Sequence, residues 1–335
     1  MSIEISRYDL ESEADEWNRH VERSTETNPF HRAEALARQA AETNTTIHAL
    51  AGFKGQEPVG VFPIFVLEKG PFAAAFSPAP RSWSCYLGPA MNDLDSLKQR
   101  KADRRVRRFL EGCLDWLEAE CRPVYCKFTT GRFDDLRPFA WNEYDVTPGY
   151  TYVVDLDVPA DDLVDRFSSD ARRNVQSVPD DVVVAEGDAS DVEDIVHQVA
   201  ARYESQGRPF QLSPEYVRSL YESLPDGALR PYVCRIDGEF CGGILVLESN
   251  GMLLRWQGGV KTGEDVDVAV NDVLDWQIMR DGLESGIERY DLVGAGVPSI
   301  NRYKAKFNPR LETHYTVTAG VFGLDRLVDR YQKLV

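Results

Sequence analysis

The chain has 335 residues, of which 43% are hydrophobic, and it carries a formal net charge of −17 at pH 7 with a pI of about 4.8. This length predicts about two domains of ~100–200 residues each, and the apolar fraction is ordinary for globular proteins. The acidic surface argues against general binding of DNA or anionic lipid, and we interpret it as adaptation to a salty cytoplasm, a halophilic trait, rather than as a surface for one basic partner.

The first half reads as a strand, a pair of helices, a run of strands, a long helix and a closing strand. Polar/apolar alternation and bounding glycines and prolines support the strands. Residues 133–148, with Pro138 and Pro148, read as a connection to the second half. The predicted elements are strands over 3–8, 46–53, 59–67, 73–76, 85–87 and 124–128, and helices over 11–22, 32–42 and 94–120.

The second half repeats this order. One helix start is well marked, because Ser213 can cap a helix and Pro214 suits its first turn. The predicted elements are strands over 150–156, 182–185, 232–236, 241–248, 252–257, 290–293 and 315–322, and helices over 160–178, 192–205, 268–285 and 325–333, with a short helix after Pro214.

Short matches between the halves recur in the same order. Pro29-Phe30 returns as Pro209-Phe210, and the strand–glycine–strand pattern around Gly55 returns around Gly238. The triplet Leu-Asp-Trp occurs at 114–116 and at 274–276. The offsets of 180, 183 and 160 residues far exceed the ~20–50 of solenoid repeats. The pattern predicts an α/β (α+β) chain of two related domains, residues 1–148 and 149–335, each a mixed, mostly antiparallel sheet flanked by helices.

Several stretches of the second half carry a family resemblance. They are Tyr150–Leu156 with Ser169–Val175, Gly207–Phe210 with Ser213–Tyr216, and Tyr290–Ala295 with Tyr303–Phe307. In this order they resemble the FemAB-type acyltransferases and the related "BioF2-like" acetyltransferase domain, which are tandem GNAT-like proteins. The resemblance spans roughly residues 150–320, and the first half matches more loosely, through Asn28-Pro29-Phe30 and the helix that follows.

The resemblance implies an N-acyltransferase. An acetyl or aminoacyl group would pass from an activated donor, with acyl-CoA (acetyl-CoA) as the expected donor substrate, to an amine on a small or a sugar- or peptide-linked acceptor. In the GNAT fold the donor lies where two neighbouring parallel strands splay apart, with its phosphates at a helix N-terminus. The stretch from Lys261 to Asn271 stands at that place and holds one glycine and three acidic residues, a departure from the family's glycine-rich loop. Asn271 is the candidate residue for cofactor binding.

The candidate catalytic residues are Lys306 and Asp291. Lys306 could stabilise the negative charge of a tetrahedral intermediate, and Asp291 could take a proton from the attacking amine. Arg172 and Arg173 could clamp a phosphate or carboxylate, because the guanidinium binds oxyanions with two hydrogen bonds. The alternative for the three cations is solvated surface charge or ion pairing, with Asp165 or Asp170 as partners of the arginines.

Four further residues are candidates for substrate binding. Trp256 and Gln257 end a predicted strand, Tyr203 precedes the Gly207 turn, and Tyr303 lies in the segment of Lys306. For Trp256 and Tyr203 the alternative is packing in the core. We expect Trp256 and Tyr303 to flank one cleft that Arg172, Arg173 and Lys306 face.

Two other functions stay open. The chain could be a catalytically inactive GNAT-fold binding protein, which the poor phosphate loop favours, or a tRNA-dependent aminoacyltransferase. The negative charge and the lack of an inserted helical arm weigh against tRNA. A basic run on the predicted helix over 94–120 is either a solvated face or a docking patch for tRNA, a nucleotide-linked acceptor or a lipid phosphate. It comprises Lys98, Arg100, Lys101, Arg104, Arg105, Arg107 and Arg108.

The remaining signals concern location and metals. No stretch approaches the ~20 apolar residues of a membrane span, and the N-terminus lacks the basic and apolar regions of a signal peptide. We therefore expect a cytoplasmic protein. The six cysteines form no C-x-x-C motif and no histidine stands at zinc-finger spacing, so we expect buried free thiols and no metal.

Overall fold

The chain divides into two units, one formed by residues 1–148 with the segment from His314 onward, and the other by residues 149–313. The computed structural model describes residues 2–260 and 266–321. The predicted helix over 325–333 lies outside the described residues.

The first unit contains most of the elements predicted for the first half. Its strands and longer helices are β1 (Glu4–Tyr8), α1 (Ala14–Val21), α2 (Ala33–Thr43), β2 (Thr46–Lys54), β3 (Glu57–Lys69), β4 (Phe72–Ser77), β5 (Ala90–Met91), α3 (Gln99–Glu120), β6 (Tyr125–Thr130) and α4 (Arg137–Trp141). Of these, β5 and α4 were not predicted from the sequence. The helix α3 is amphipathic: Val106, Phe109, Leu110, Cys113 and Leu117 recur at helical spacing and are buried against the sheet. Burying each large apolar side chain of this stripe contributes about 1.5–3 kcal/mol.

The second unit follows with β7 (Asp145–Asp155), α5 (Ala160–Asp165), α6 (Ser169–Gln176), β8 (Val182–Glu186), α7 (Ala189–Ser205), α8 (Pro214–Ser223), β9 (Leu229–Ile236), β10 (Glu239–Ser249), β11 (Met252–Gly258), α9 (Val270–Glu284), β12 (Arg289–Asp291) and α10 (Pro298–Lys304). Its core forms where Leu274, Ile278 and Met279 of α9 pack with Tyr232 and Ile244 of the sheet. The last described strand is β13 (Arg310–Gly320).

The two units have the same strand pattern. In the first, the order is β1-β2-β3-β4-β6-β13, and in the second it is β8-β9-β10-β11-β12-β7. Neighbouring strands are antiparallel except for β4 with β6 and β11 with β12, which are parallel. The long helix, α3 or α9, connects the two parallel strands in each unit. This confirms the predicted fold of two tandem GNAT-like domains, each with a mixed, mostly antiparallel sheet flanked by helices.

Four predicted elements differ in the structure. The helix expected over 160–178 is two helices, because Ser168 caps α6 and Phe167 turns inward against Phe307. The strand expected over 85–87 is replaced by β5, two residues long. β7 begins at Asp145, inside the segment read as a connection. The last strand, assigned by sequence to the second domain, pairs from Tyr315 onward with β6 of the first unit.

Candidate active site

The parallel strands β11 and β12 part soon after they pair. Their register joins Met252 with Arg289 and ends at Leu254 with Asp291, although β11 continues to Gly258. Beyond Asp291 the chain follows β7 instead: the amides of Leu292 and Ala295 donate to carbonyls of that strand, at 2.8 and 2.6 Å. A gap therefore opens between the end of β11 and residues 292–295. We call it the β11–β12 gap.

A bulge and two glycines shape the end of β11. The register with β10 shifts between Leu245 and Val246, so that β11 advances by one extra residue at Trp256. Bulges of this kind twist a strand and re-aim its side chains. Gly258 and Gly259 then have φ angles of 99° and 67°, a region that favours glycine. A Cβ atom on Gly258 would lie 2.2 Å from the carbonyl oxygen of Gly243, so the close backbone approach here requires glycine.

A buried polar cluster underlies this turn. Asp275 of α9 is fully buried and accepts hydrogen bonds from Arg255 (2.9 Å), Tyr290 (2.6 Å) and Tyr303 (2.5 Å). Burial raises the pKa values of both tyrosines far above the ordinary value, and the charge of Asp275 adds to this, so both hydroxyls stay protonated donors. A Cβ atom on Gly259 would touch the Arg255 guanidinium. The cluster thus fixes the backbone at the end of β11.

On the other side of the gap, Asp291 holds a strained turn. Val293 has a φ of 49°, an outlier for a β-branched residue. Its amide donates to Asp291 Oδ1 at 2.7 Å, and Thr151 Oγ1 donates to the same oxygen at 2.5 Å. The hydroxyl of Thr151 in turn accepts from the amide of Gly294 at 2.9 Å. Burial raises the pKa of Asp291 to about 6, against the opposing effect of these hydrogen bonds.

Lys304 holds the same turn by binding its carbonyl groups. Its ammonium donates to the carbonyl oxygens of Val293 and Gly294, both at 2.7 Å, and only 7% of the residue is exposed. Burial lowers the pKa of Lys304 to about 8, and the positive charge of Arg255 adds to this. Strained backbone that is held by several converging contacts is typical of functional sites. Lys304 was not among the residues predicted from sequence.

Lys306, the predicted catalytic lysine, has a different environment. Its ammonium lies 3.2 Å from the carboxylates of Asp170 and of Asp272, and 5.5 Å from the ring centre of Tyr303. Asp272 is buried and also accepts from Asn174 at 2.7 Å. Partial burial lowers the pKa of Lys306, but the two carboxylates prevail and raise it. These contacts link α6, α9 and the segment after α10, which is a structural role; the catalytic role stays a prediction.

The other predicted residues fall into two groups. At the β11–β12 gap, Trp256 and Gln257 lie near the end of β11, and the side-chain amide of Asn271 donates to the carbonyl oxygen of Gly259 at 3.0 Å. Tyr303 and Asp291 also lie beside this gap, where Tyr303 donates to Asp275 and Asp291 accepts from the amide of Val293.

Elsewhere, Arg172 bonds the carbonyl oxygen of Asp165 and forms an ion pair with its carboxylate at 3.5 Å. Arg173 is exposed on α6. Tyr203 packs on Phe210, with the Arg208 guanidinium 5.2 Å from the centre of its ring. The binding roles of all these residues stay predictions.

The first unit fills the equivalent gap with its own chain. Beyond the pairing of β4 with β6, the amide of Leu87 donates to Thr129 at 3.0 Å, and Leu87 bridges Thr130 in parallel. The amide of Gly88 then donates to the hydroxyl of Ser77 at the end of β4, at 2.9 Å. The two Leu-Asp-Trp triplets also differ between the units: Asp115 of α3 is exposed, whereas Asp275 of α9 is buried.

Two signals in the sequence could have identified the missed residues. Pro298 suits the first turn of a helix, and a helix over 298–304 would have marked Lys304 as the lysine at its end. Asp275 stands in an apolar helix next to Leu274, where an unpaired carboxylate would be costly, so partners were to be expected.

Comparison with known proteins finds a similar domain in the second unit. Residues 166–305 match the family model of an acetyltransferase (GNAT) domain. The stretch includes both strands of the β11–β12 gap, the helix α9 between them, and Lys304. The matched residues lie within the second unit and include those that border the gap.

The whole chain resembles solved structures of the same architecture. FemX superposes with a TM-score of 0.71 at 13% identity, covering 93% of this chain and 96% of FemX. The C-terminal DUF2156 domain of a lysylphosphatidylglycerol synthetase from Agrobacterium fabrum gives 0.57 at 17% identity, covering 96% and 97%. L-PGS from Bacillus licheniformis gives 0.57 at 11%, covering 96% of each chain. The predicted resemblance to FemAB-like GNAT proteins is thereby confirmed, at the level of fold.

Three further findings bear on the site and the chain. No curated protein sequence matches this chain. In residues 2–260 and 266–321, no group of three or more His, Cys, Asp or Glu side chains is arranged to hold a metal ion. Within the same residues, no helix has the length and apolar character needed to cross a bilayer.

Proposed function

We propose that the chain is an N-acyltransferase whose second unit binds an activated acyl donor in the β11–β12 gap and transfers the acyl group to an amine. The observation that carries this is the contrast between the units. Both have two parallel strands joined by a long helix, but the chain itself occupies the gap in the first unit through Leu87 and Gly88. In the second unit β11 extends past the pairing, beside a strained and well-braced turn.

The chemistry assigns a role to each edge of the gap. An extended donor can lie along the end of β11, where the bulge at Trp256 turns the strand away from its regular register. Asp291 is the proposed general base: with a pKa of about 6 it is ionised at neutral pH and matched to proton transfer from an amine. The attack would be direct, without a covalent enzyme intermediate. Lys304 acts by holding the turn that carries Asp291.

Acyl-CoA is the first donor to test. The buried Oδ1 of Asn271 at the start of α9 has no partner among the described residues, so a polar group of a donor could reach it. Asp272 in the same turn would repel phosphate, but its contact with Lys306 offsets its charge. The stretch from Lys261 to Asn271 departs from the family's glycine-rich phosphate loop, so an aminoacyl donor is the second arm of the test. Residues 261–265 of this stretch lie outside the described residues. One structural neighbour is described as the C-terminal domain of a lysylphosphatidylglycerol synthetase.

The experiment incubates the purified protein with acetyl-CoA, or with aminoacyl-tRNA, and a panel of amines that includes amino sugars and peptides. Products are followed by mass spectrometry rather than with a thiol reagent, since the chain has free cysteines. Asp291→Asn keeps the size and one acceptor oxygen but removes the base, so we expect a loss of about 10²-fold or more in kcat. The native rate should rise as pH increases through about 6, and this limb should vanish in the variant.

A matched control comes from the first unit. Glu26 is a partly buried carboxyl, whose pKa burial raises to about 7, and it accepts from the amide of Met91 at 2.6 Å. Glu26→Gln should keep turnover and the rise of the rate through pH 6. Donor binding without transfer in the native chain would favour the inactive binding protein, and equal losses in the two variants would contradict the role of Asp291.

A further inference from the structure

The basic run of α3 converges on a cavity of the first unit. Lys101, Arg104, Arg105 and Arg108 stand at i, i+3, i+4 and i+7 and so share one face of the helix. All four line a cavity of about 330 Å³, together with Lys54 from the end of β2. Two apolar side chains, Ile3 and Leu97, complete its lining. A solvated helix face, the alternative interpretation of this basic run, does not explain why these side chains line one cavity.

The charges of this cavity are poorly balanced by the protein. Glu57 lies 2.9 Å from Arg105 and 3.4 Å from Lys54, and it offsets one of the five positive charges. In the part of the chain that the structure describes, Lys101, Arg104 and Arg108 form no ion pair. In a chain with 55 acidic and 38 basic residues, carboxylates are abundant elsewhere, so this local excess of about four positive charges is notable. Such a concave cluster raises the local concentration of anions.

Arg107, on the same helix, differs from these residues because its charge has partners within the protein. It bonds Glu111 at 2.7 Å, and its guanidinium lies 5.7 Å from the ring centre of Trp141. Its charge is therefore satisfied on another face of α3, away from the residues that line the cavity.

We propose that this cavity binds a small organic molecule carrying a diphosphate or triphosphate group, such as a nucleotide. Arginine binds phosphate oxygens in pairs and lysine acts as a point charge, so this set suits more than one phosphate. A group with three or four negative charges would balance the cavity. Its volume lies at the lower end of the range for small-molecule sites. Ile3 and Leu97 would contact the organic part, which favours a nucleotide over inorganic diphosphate. The proposal does not depend on acyl transfer in the second unit.

The test is calorimetric titration of the full chain with ADP, AMP, inorganic diphosphate and a short single-stranded RNA, at low and at moderate KCl. We expect ADP to bind more tightly than AMP or inorganic diphosphate, and its affinity to fall as KCl rises. Lys101→Gln and Arg104→Gln should each weaken ADP about tenfold, the loss expected for one charge-assisted hydrogen bond. Both side chains are exposed, so the variants should keep the native melting temperature.

Arg107→Gln is the matched control, because it removes the same charge from the same helix outside the cavity. It should leave the ADP affinity within about twofold, a change of ~0.4 kcal/mol. An equal loss in all three variants would indicate a general effect of net charge and overturn the proposal. Absence of ADP binding would also overturn it, as would RNA that binds more tightly than ADP and is lost in the cavity variants.

Discussion

Burial disfavours the charged form of two side chains beside the β11–β12 gap: it raises the pKa of Asp291 and lowers the pKa of Lys304. For Asp291 the folded-state pKa of about 6 lies above the ordinary value of 3.8. The native state therefore binds this proton more tightly than the unfolded chain does. The contribution of the group to stability is complete below about pH 4 and is lost as pH rises through about 6. Selection for stability alone would not retain a carboxylate here, which is consistent with a chemical role.

We predict that Asp291→Asn is more stable than the native chain at pH 8, and that this advantage shrinks by about 1 kcal/mol as pH falls to about 5. The reason is that the amide carries no charge to desolvate, whereas the native carboxyl recovers its proton on acidification. Urea unfolding at the two pH values measures the difference. A constant difference would show that the carboxyl is not a source of pH-dependent stability. A gain in stability with a loss of turnover would distinguish a functional from a structural carboxyl.

Lys306 gives the second prediction at this scale. From sequence, a surface cation predicts a nearly unchanged melting temperature for Lys306→Ala. In the structure, removal of the ammonium leaves the buried carboxylate of Asp272 with Asn174 as its remaining described contact. We now expect a cost of about 1–3 kcal/mol. A double-mutant cycle with Asp272→Asn should recover part of this cost, and strictly additive effects would contradict the proposed coupling.

At the scale of elements, two glycines flank or end β11 for different reasons. Gly258, at its end, is required because no side chain fits there, whereas Gly251, just before its start, is favoured only by its positive φ angle. Gly258→Ala should cost about 2–4 kcal/mol, because the added methyl meets a backbone oxygen at 2.2 Å and the φ angle is positive. Gly251, which precedes β11, has a φ of 69° and open space around it. Gly251→Ala should therefore cost about 1 kcal/mol, as αL strain alone. Thermal melts of the two variants compare them, and equal costs would contradict the steric argument.

Sequence predicted most strands and the long helices because their apolar spacing reflects local burial. It did not predict the break between α5 and α6, since Phe167 turns inward only when Phe307 is present to receive it. Nor could it predict that Leu87 lies beside β6, because a single bridge leaves no periodic pattern. Asp291 was identified through the family resemblance, but its bracing by Lys304 arises from contacts between segments distant in sequence.

For the whole molecule, the net charge of −17 predicts that stability rises with salt. Carboxylates at low salt repel one another, and the screening length falls from ~10 Å at 0.1 M to ~3 Å at 1 M salt. We expect the melting temperature to increase as KCl is raised over this range. Sucrose at equal osmolality serves as a control for general exclusion effects. A melting temperature that is flat or decreasing would count against a salt-adapted protein.

The pairing of β13 with β6 has a consequence for synthesis on the ribosome. The edge of β6 stays unpaired until residues 315–320 have been translated, although the rest of the first unit precedes residue 149. At ~5–20 residues per second, translation of residues 149–313 takes on the order of 10–30 s. During that time the nascent first unit exposes an unpaired strand edge, a template for association with other chains. The first unit to emerge is therefore the last to be completed, and this interval is when chaperones would protect the chain.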